Sequence, residues 1–397
     1  MIRILILALV WILSIVFSVI WSYENPEKVE LIKSYFKKKQ TVEVKKASSN
    51  IQRFTANSFT IEVEKVLDIN DKTAFVTHPK NEDFDAKKLT IYTQSGSVIK
   101  NLVPKKIDLP NSFTLQRNGG IKTIIYNGQE VFALISAKEK DCFFALLTNI
   151  KNKRELFKTE CLPEKAKNND FNGLGSSNVH LGDKILFSLG TPEKHASKNS
   201  TLAQLDSSKF GKILEINKDN LLNSIRADDE LQINIFSKGH RVPQGLTILK
   251  DSIFNVEHGP KGGDELNKVI KGKNYGWPNV SYGTNYLKDN GGDGSSFKIN
   301  HEKNNFEEPL FAFVPSVGIS SLNHCPKVLK QYYKKDCLMA LSLYGNNLRK
   351  GHSIIIYLLN KNLNKVESIE KIQLGNLVLR HFVTDDKNIL YEDKSGN

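Results

Sequence analysis

A chain of 397 residues is long enough for one large β domain or two ordinary ones. Its 40% hydrophobic and 25% charged residues are ordinary for a soluble globular protein. The formal net charge of +13 suits anionic lipid headgroups, acidic polymers or simply a lysine-solvated surface. No interleaving of aromatic and basic residues marks nucleic-acid binding, so that class of partner is set aside.

The N-terminus departs from this average. Ile4 to Trp21 is a run of 18 uncharged residues broken only by Ser14 and Ser18, near the minimum for a membrane-spanning helix. Ile20-Trp21-Ser22 makes a poor cleavage site. Residues 1–22 are therefore expected to form an uncleaved anchor, partnering the membrane through residues 4–21, with a cleaved signal peptide as the alternative. Lys28, Lys33 and Lys37 to Lys39 outnumber Arg3, so the positive-inside rule votes for a cytoplasmic C-terminal part. Residues 23–52 read as a linker, with a short amphipathic helix from Pro26 to Phe36 and a polar stretch from Lys37 to Asn50.

From residue 53 the pattern is of short strands. Phe59 to Val66, Thr73 to Thr77, Leu89 to Thr93, Thr123 to Tyr126 and Val131 to Ile135 are rich in β-branched and aromatic residues. Ser95-Gly96, Asn118-Gly119 and Asn127-Gly128 punctuate them. Cys142 to Asn149, a polar turn and Leu156 to Cys161 predict a hairpin. Evenly spaced short strands suggest a sandwich, barrel or propeller. The four cysteines form no CxxC or Cys/His cluster. They fall in two sequence-close pairs, which predicts bridges 142–161 and 325–337 in an oxidising compartment, against the alternative of four buried thiols.

The densest stretch runs from Gly239 to Tyr286. Gly259-Pro260, Gly262-Gly263 and Trp277-Pro278 cut it into turns around strand-length apolar runs. Asp264 and Glu265 follow one of these turns. Carboxylates beside turn carbonyls are the hard oxygen ligands that Ca²⁺ prefers, and no nucleophile stands out.

This stretch also carries a resemblance. HR-x-PQGL, EHGP, GGDELN and NYGWP, in this order, resemble the soluble quinoprotein aldose (glucose/sorbosone) dehydrogenases. ILFSLGT, the segment from Ser208 to Leu214 and the run from Phe306 to Leu322 extend the similarity. The resemblance implies an all-β, six-bladed β-propeller over residues 53–397. It implies pyrroloquinoline quinone (PQQ) and Ca²⁺ as cofactors, oxidation of aldoses at C1, and an exported, periplasmic domain. On the matching positions, Arg241 and Gln244 would contact the quinone. The carbonyls of Gly259 and Pro260 would hold its Ca²⁺, and Glu265 with the Tyr275 carbonyl would hold a second, structural Ca²⁺.

Several matching positions depart from the family's pattern. Thr191 stands where an aspartate is expected. With Val179 to Lys184 as the intervening turn, the base position falls between Asn172 and Leu174, which hold no histidine. A shifted register would put His180 there instead. Val242 replaces an amide, Tyr344 a basic residue, and Leu377 and Leu379 a pair of arginines, with Arg380 one residue out of phase. A carboxylate-rich cofactor needs those cations. The expected function is a tethered propeller that binds a saccharide or protein ligand without redox chemistry. The alternative is an active, divergent quinoprotein sugar dehydrogenase.

Overall fold

Two-residue hairpin loops set the local architecture. They occur at 128–129, 140–141, 182–183 and 250–251. Each opens with a positive φ: 61° at Gly128, 48° at Lys140, 56° at Gly182 and 54° at Lys250. That backbone twist matches the right-handed twist of the flanking strands and folds each strand back onto its predecessor. The computed structural model describes residues 42–46, 51–56, 59–65, 67–79, 84–163, 165, 169–193, 198–226, 231–286, 293–343, 352–375, 379–384 and 388–392.

Within these residues the chain builds five antiparallel blades in sequence order, four of four strands and one of five. Blade I comprises Thr73–Thr77, Thr90–Thr93, Ser97–Lys100 and Val103–Lys106. Blade II comprises Ile121–Asn127, Glu130–Glu139, Cys142–Asn149 and Glu155–Lys158, with Leu162–Pro163 added beside Cys142 and Phe143. Blade III comprises Asn178–Leu181, Lys184–Leu189, Lys212–Asn217 and Asn234–Lys238. Blade IV comprises Val242–Leu249, Ser252–His258, Asp264–Val269 and Phe311–Phe313, and blade V comprises Ile319–His324, Cys337–Ser342, Ser353–Leu359 and Val366–Gln373.

The molecule is an all-β propeller, and its burial pattern explains the sequence. A blade packed on both faces needs apolar residues on both, so its middle strands lose the usual alternation. Phe132 to Ala137 and Phe143 to Asn149 are buried without a break. Each blade interface has its own apolar cluster. Phe132, Leu134 and Leu147 of blade II meet Phe187 and Leu189 of blade III, and Phe254 and Leu266 of blade IV meet Leu338 and Ile355 of blade V.

Two further pieces complete the ring's flanks. The hairpin Ile51–Thr55/Thr60–Glu64 packs Phe54, Phe59 and Ile61 onto the outer cluster of blade V. The pair Leu379–Thr384/Asn388–Glu392 touches the first strands of both blade V and blade I. Val44–Lys46, inside the stretch expected to be a linker, pairs antiparallel with Leu67–Ile69, because Val42, Val44 and Ile69 cover Ile91 and Ile99 of blade I. No helix among the described residues is long and apolar enough to cross a membrane. The expected anchor over 1–22 and the helix from Pro26 to Phe36 lie outside the described residues. Both expected disulfides form, Cys142–Cys161 with Cα atoms 5.2 Å apart and Cys325–Cys337 with 5.4 Å.

Candidate functional site

The first strands of the blades all begin at one face of the ring, and the residues leading into them form its mouth. At blade IV, Arg241 is 5% exposed and donates from Nη1 to the carbonyls of Gly259 (2.5 Å) and His258 (3.3 Å). Its guanidinium lies 5.1 Å from the Trp277 ring centroid, and Nε has no hydrogen-bond partner. Gln244 is half-buried at a β-bulge, since Pro243 pairs with Glu257 and Gly245 with Val256. The extra residue leaves the ladder and is re-aimed, a device common beside functional sites. The structure therefore joins Arg241 to the Gly259–Pro260 turn, with Gln244 three residues along the strand that Arg241 precedes.

The base position is occupied differently. Residues 171–174 form a 3₁₀ turn capped by the Asp170 side chain, which accepts from Asn172 N at 2.8 Å. A Cβ at Gly173 would lie 2.2 Å from the Thr191 carbonyl oxygen, and one at Gly190 would lie 2.2 Å from the Gly173 carbonyl oxygen. Thr191 N and Oγ1 both donate to the Arg241 carbonyl, at 2.7 and 3.2 Å. This backbone knot leaves no space for a side chain at Gly173. The expected turn from Val179 to Lys184 is shorter than read: Asn178–Leu181 is strand and only Gly182 and Asp183 turn. His180 is exposed on that strand, paired with Ile185 beside the turn. It stands at the end of the strand away from Ser176, whose N–H donates to the Pro243 carbonyl at the mouth. The sequence reading overlooked Glu193, two residues beyond Thr191, which is 3% exposed and accepts from Thr191 Oγ1 (3.2 Å) and Ser200 Oγ (2.5 Å).

Behind the mouth a chain of buried polar groups crosses blade IV. His240 is 0% exposed and stacks on Tyr275 with centroids 4.6 Å apart. Its Nε2 meets Ser237 Oγ at 2.8 Å and its Nδ1 meets Glu257 Oε2 at 3.2 Å. These three side chains have the identities of a nucleophilic triad but are sealed from solvent, so they serve packing. Asn267 Nδ2 donates to both Glu257 Oε1 (3.4 Å) and Glu265 Oε2 (3.3 Å), and His301 Nε2 lies 3.4 Å from Glu265 Oε1. Burial pushes the Glu265 carboxyl up, against the hydrogen bond from His301. Burial pulls His301 down, but its hydrogen bond to Glu265 and the surrounding carboxylates outweigh this, so its pKa is raised.

These donors test the two expected cation sites. Among the described residues no three His, Cys, Asp or Glu side chains converge as a metal group. Asn267 Oδ1 is nonetheless buried without a partner beside the carboxylates of Glu257 and Glu265. With Nδ2 turned to the two carboxylates, Oδ1 points away from them, so a hard cation there would need the Asn267 amide reversed and main-chain carbonyls added, with Tyr275 the expected contributor. Asp264, read as a second ligand, is committed elsewhere: it accepts from Val317 N, Gly318 N, Ile319 N, Ser316 Oγ and Gly259 N. The Gly259–Pro260 turn does not fit Ca²⁺ as it stands, because the Arg241 guanidinium already occupies the Gly259 carbonyl. Tyr344 and Leu377 lie outside the described residues, and Leu379 begins the strand 379–384.

On the opposite side of the mouth, Lys122 is the second residue of blade II's first strand. It donates from Nζ to the Asn118 carbonyl at 2.7 Å, and Asn118 Nδ2 donates to both oxygens of Asp170. Burial pulls the Lys122 amine down to about 7, opposed by Asp170 and helped by Lys72. Nothing in the local sequence IKTIIYN signals this, since the shift depends on residues from two other turns.

Comparison with known proteins agrees with this architecture. The family described as Glucose / Sorbosone dehydrogenase matches residues 121–370. The chain is 39% identical over 94 residues to an aldose sugar dehydrogenase of Escherichia coli, covering 22% of this chain and 23% of that protein. It is 40% identical over 77 residues to a quinoprotein glucose dehydrogenase of Acinetobacter calcoaceticus, 18% of this chain and 16% of that one. These matched stretches thus span less than a quarter of either relative. The apo aldose sugar dehydrogenase structure from Escherichia coli superposes with a TM-score of 0.60 at 18% identity, covering 89% of this chain and 97% of that one. The PQQ-bound aldose sugar dehydrogenase of Streptomyces coelicolor gives a TM-score of 0.55 at 16% identity, covering 90% and 94%. Identities this low speak for the fold alone.

Proposed function

Because the chain belongs to the glucose/sorbosone dehydrogenase family, we propose that it keeps the family propeller as a binding platform for a saccharide or protein ligand and does not oxidise aldoses through a quinone. The observation that carries this reading is Gly173. A general base must reach the hydroxyl whose proton it removes; residues 172–174 hold no histidine, and Gly173 at their centre has no room for a side chain. Thr191, with its hydroxyl spent on the Arg241 carbonyl and Glu193, offers no carboxylate to orient such a base. Leu377 and Leu379 withdraw two expected cations from a carboxylate-bearing cofactor. Each lost charge-assisted bond costs about 1.5–3 kcal/mol, so binding would weaken by roughly two to four orders of magnitude from these two alone.

The same reading takes the ring as six-bladed, with the 379–392 hairpin filling the sixth place between blades V and I. It takes residues 1–22 as a membrane anchor and the propeller as extracytoplasmic, which the two disulfides support. Glu265 with Asn267 would hold a structural Ca²⁺. The alternative, a divergent active dehydrogenase, draws its support from the joint retention of Arg241, Gln244, Gly259 and Pro260, with Arg241 bonded to the Gly259 carbonyl.

Reconstitution of the purified chain with PQQ and Ca²⁺ separates the two. The binding reading expects no aldose-dependent dye reduction and a calorimetric constant no tighter than millimolar. Turnover with any aldose, or micromolar PQQ binding, would overturn it.

A further inference from the structure

The outer edge of blade V, remote from the mouth, carries a feature that the family site does not use. The helix Lys327–Tyr333 lies between the disulfide partners Cys325 and Cys337, so its placement is stapled to the blade. Beside it is a groove of about 850 Å³ lined by five lysines, Lys327, Lys330, Lys334, Lys335 and Lys361. Lys330 is engaged by Asp336 at 2.8 Å and Lys335 by Glu367 at 2.6 Å. Lys327, Lys334 and Lys361 have no ion pair among the described residues. Two apolar side chains stand outward on one helix face, four residues apart: Val328 is 65% and Tyr332 46% exposed.

The N-terminal hairpin Ile51–Thr55/Thr60–Glu64 packs against this same helix. Phe59 meets Tyr332 edge-on with centroids 5.4 Å apart, and Ile51, at the other end of the hairpin, is 49% exposed. From this hairpin the chain leads back to Val42–Lys46 beside blade I and from there to the apolar run 4–21. Residues 22–41, even fully extended, would span no more than about 70 Å.

We propose that this lysine groove, with Val328 and Tyr332, is a docking face for anionic lipid headgroups of the membrane that holds residues 4–21. The proposal rests on the anchor reading above. Unpaired ammonium groups complement headgroup phosphates, and long lysine stems beside a tyrosine suit the interfacial zone. The tether makes docking intramolecular, so weak attraction suffices. Each unpaired lysine at an anionic surface favours the docked state by about fivefold.

The test uses the full chain in phosphatidylcholine vesicles with or without phosphatidylglycerol. An impermeant acetylating reagent and mass spectrometry read each lysine. Acetylation of Lys327, Lys334 and Lys361 is expected to fall about fivefold or more when phosphatidylglycerol is present, and to recover in high salt. The exposed Lys140 and Lys151 of blade II should not change. The triple variant K327E/K334E/K361E, checked for an unaltered melting temperature, should lose any lipid dependence at Lys330 and Lys335. Unprotected lysines in a chain that resists alkaline extraction would overturn the docking face while leaving the anchor intact. If the chain does not resist extraction, the anchor reading fails. Docking is then judged by pelleting with phosphatidylglycerol vesicles: pelleting abolished by the triple variant supports it, and no pelleting overturns it.

Discussion

At the scale of single residues, the mouth is defined by what cannot be added. Gly173 faces the Thr191 carbonyl so closely that even a methyl group forces backbone movement. Gly173→Ala should cost roughly 2–4 kcal/mol, visible as a lower denaturation midpoint with an unchanged slope. A well-tolerated substitution there would reopen the position to a base. Lys122 gives a second prediction, with a definite sign. Its amine titrates near 7 in the fold and at the ordinary 10.5 when unfolded. Below pH 7 both states hold the proton and the fold bears the cost of burying it. Between 7 and 10.5 the unfolded chain binds more protons, so this residue's contribution to stability rises with pH. Lys122→Met should therefore stabilise most at pH 6 and progressively less toward pH 10, read from melting temperatures across that range. A gain that is flat with pH would refute it.

How much of this was readable depended on the distance over which each contact forms. Thr73–Thr77 and Cys142–Asn149 were legible strand by strand, because β-branched and aromatic runs bounded by turns need no tertiary partner to be seen. The two disulfides were legible from spacing. The role of Asp264 was not. In sequence it stands beside Glu265 and looks like a cation ligand, yet four of its five donors come from residues more than fifty positions away. The role of His240, the first residue of the HR-x-PQGL motif, was hidden likewise, its partners supplied by Ser237 and Glu257.

At the scale of elements, Asp264 is the joint between neighbouring blades. It sits on the third strand of blade IV and gathers the backbone N–H groups of residues 317–319, which lead into blade V. Asp264→Asn puts an amide donor among donors and leaves buried N–H groups without an acceptor. It should cost about 3–5 kcal/mol, since each orphaned group carries about 1–3 kcal/mol. Hydrogen exchange should show the loss first at Val317 to Ile319. Equal protection there in both proteins would assign the joint to the apolar contacts of Val317, Ile319 and Leu266 instead.

At the scale of the molecule, the prediction concerns cation-linked stability. A Ca²⁺ held by Glu265 binds only the folded ring, so a hundredfold excess over its dissociation constant should add about 2.7 kcal/mol. His301 shares the same carboxylate and its pKa is raised, so its proton competes with the cation. Calcium should raise the melting temperature more at high pH than at pH 6, and Glu265→Gln should abolish the effect. Identical melting in calcium and in chelator would remove the site.

The hairpin 379–392 touches the leading strands of both blade V and blade I. The junction between blades V and I is thus made by strands that follow all five blades in sequence. Until that hairpin arrives, the flanks of blades I and V stay unjoined, however well the intervening blades have collapsed. A chain threaded N-terminus first, through a ribosomal tunnel or a membrane pore, is therefore kept from locking shut ahead of time.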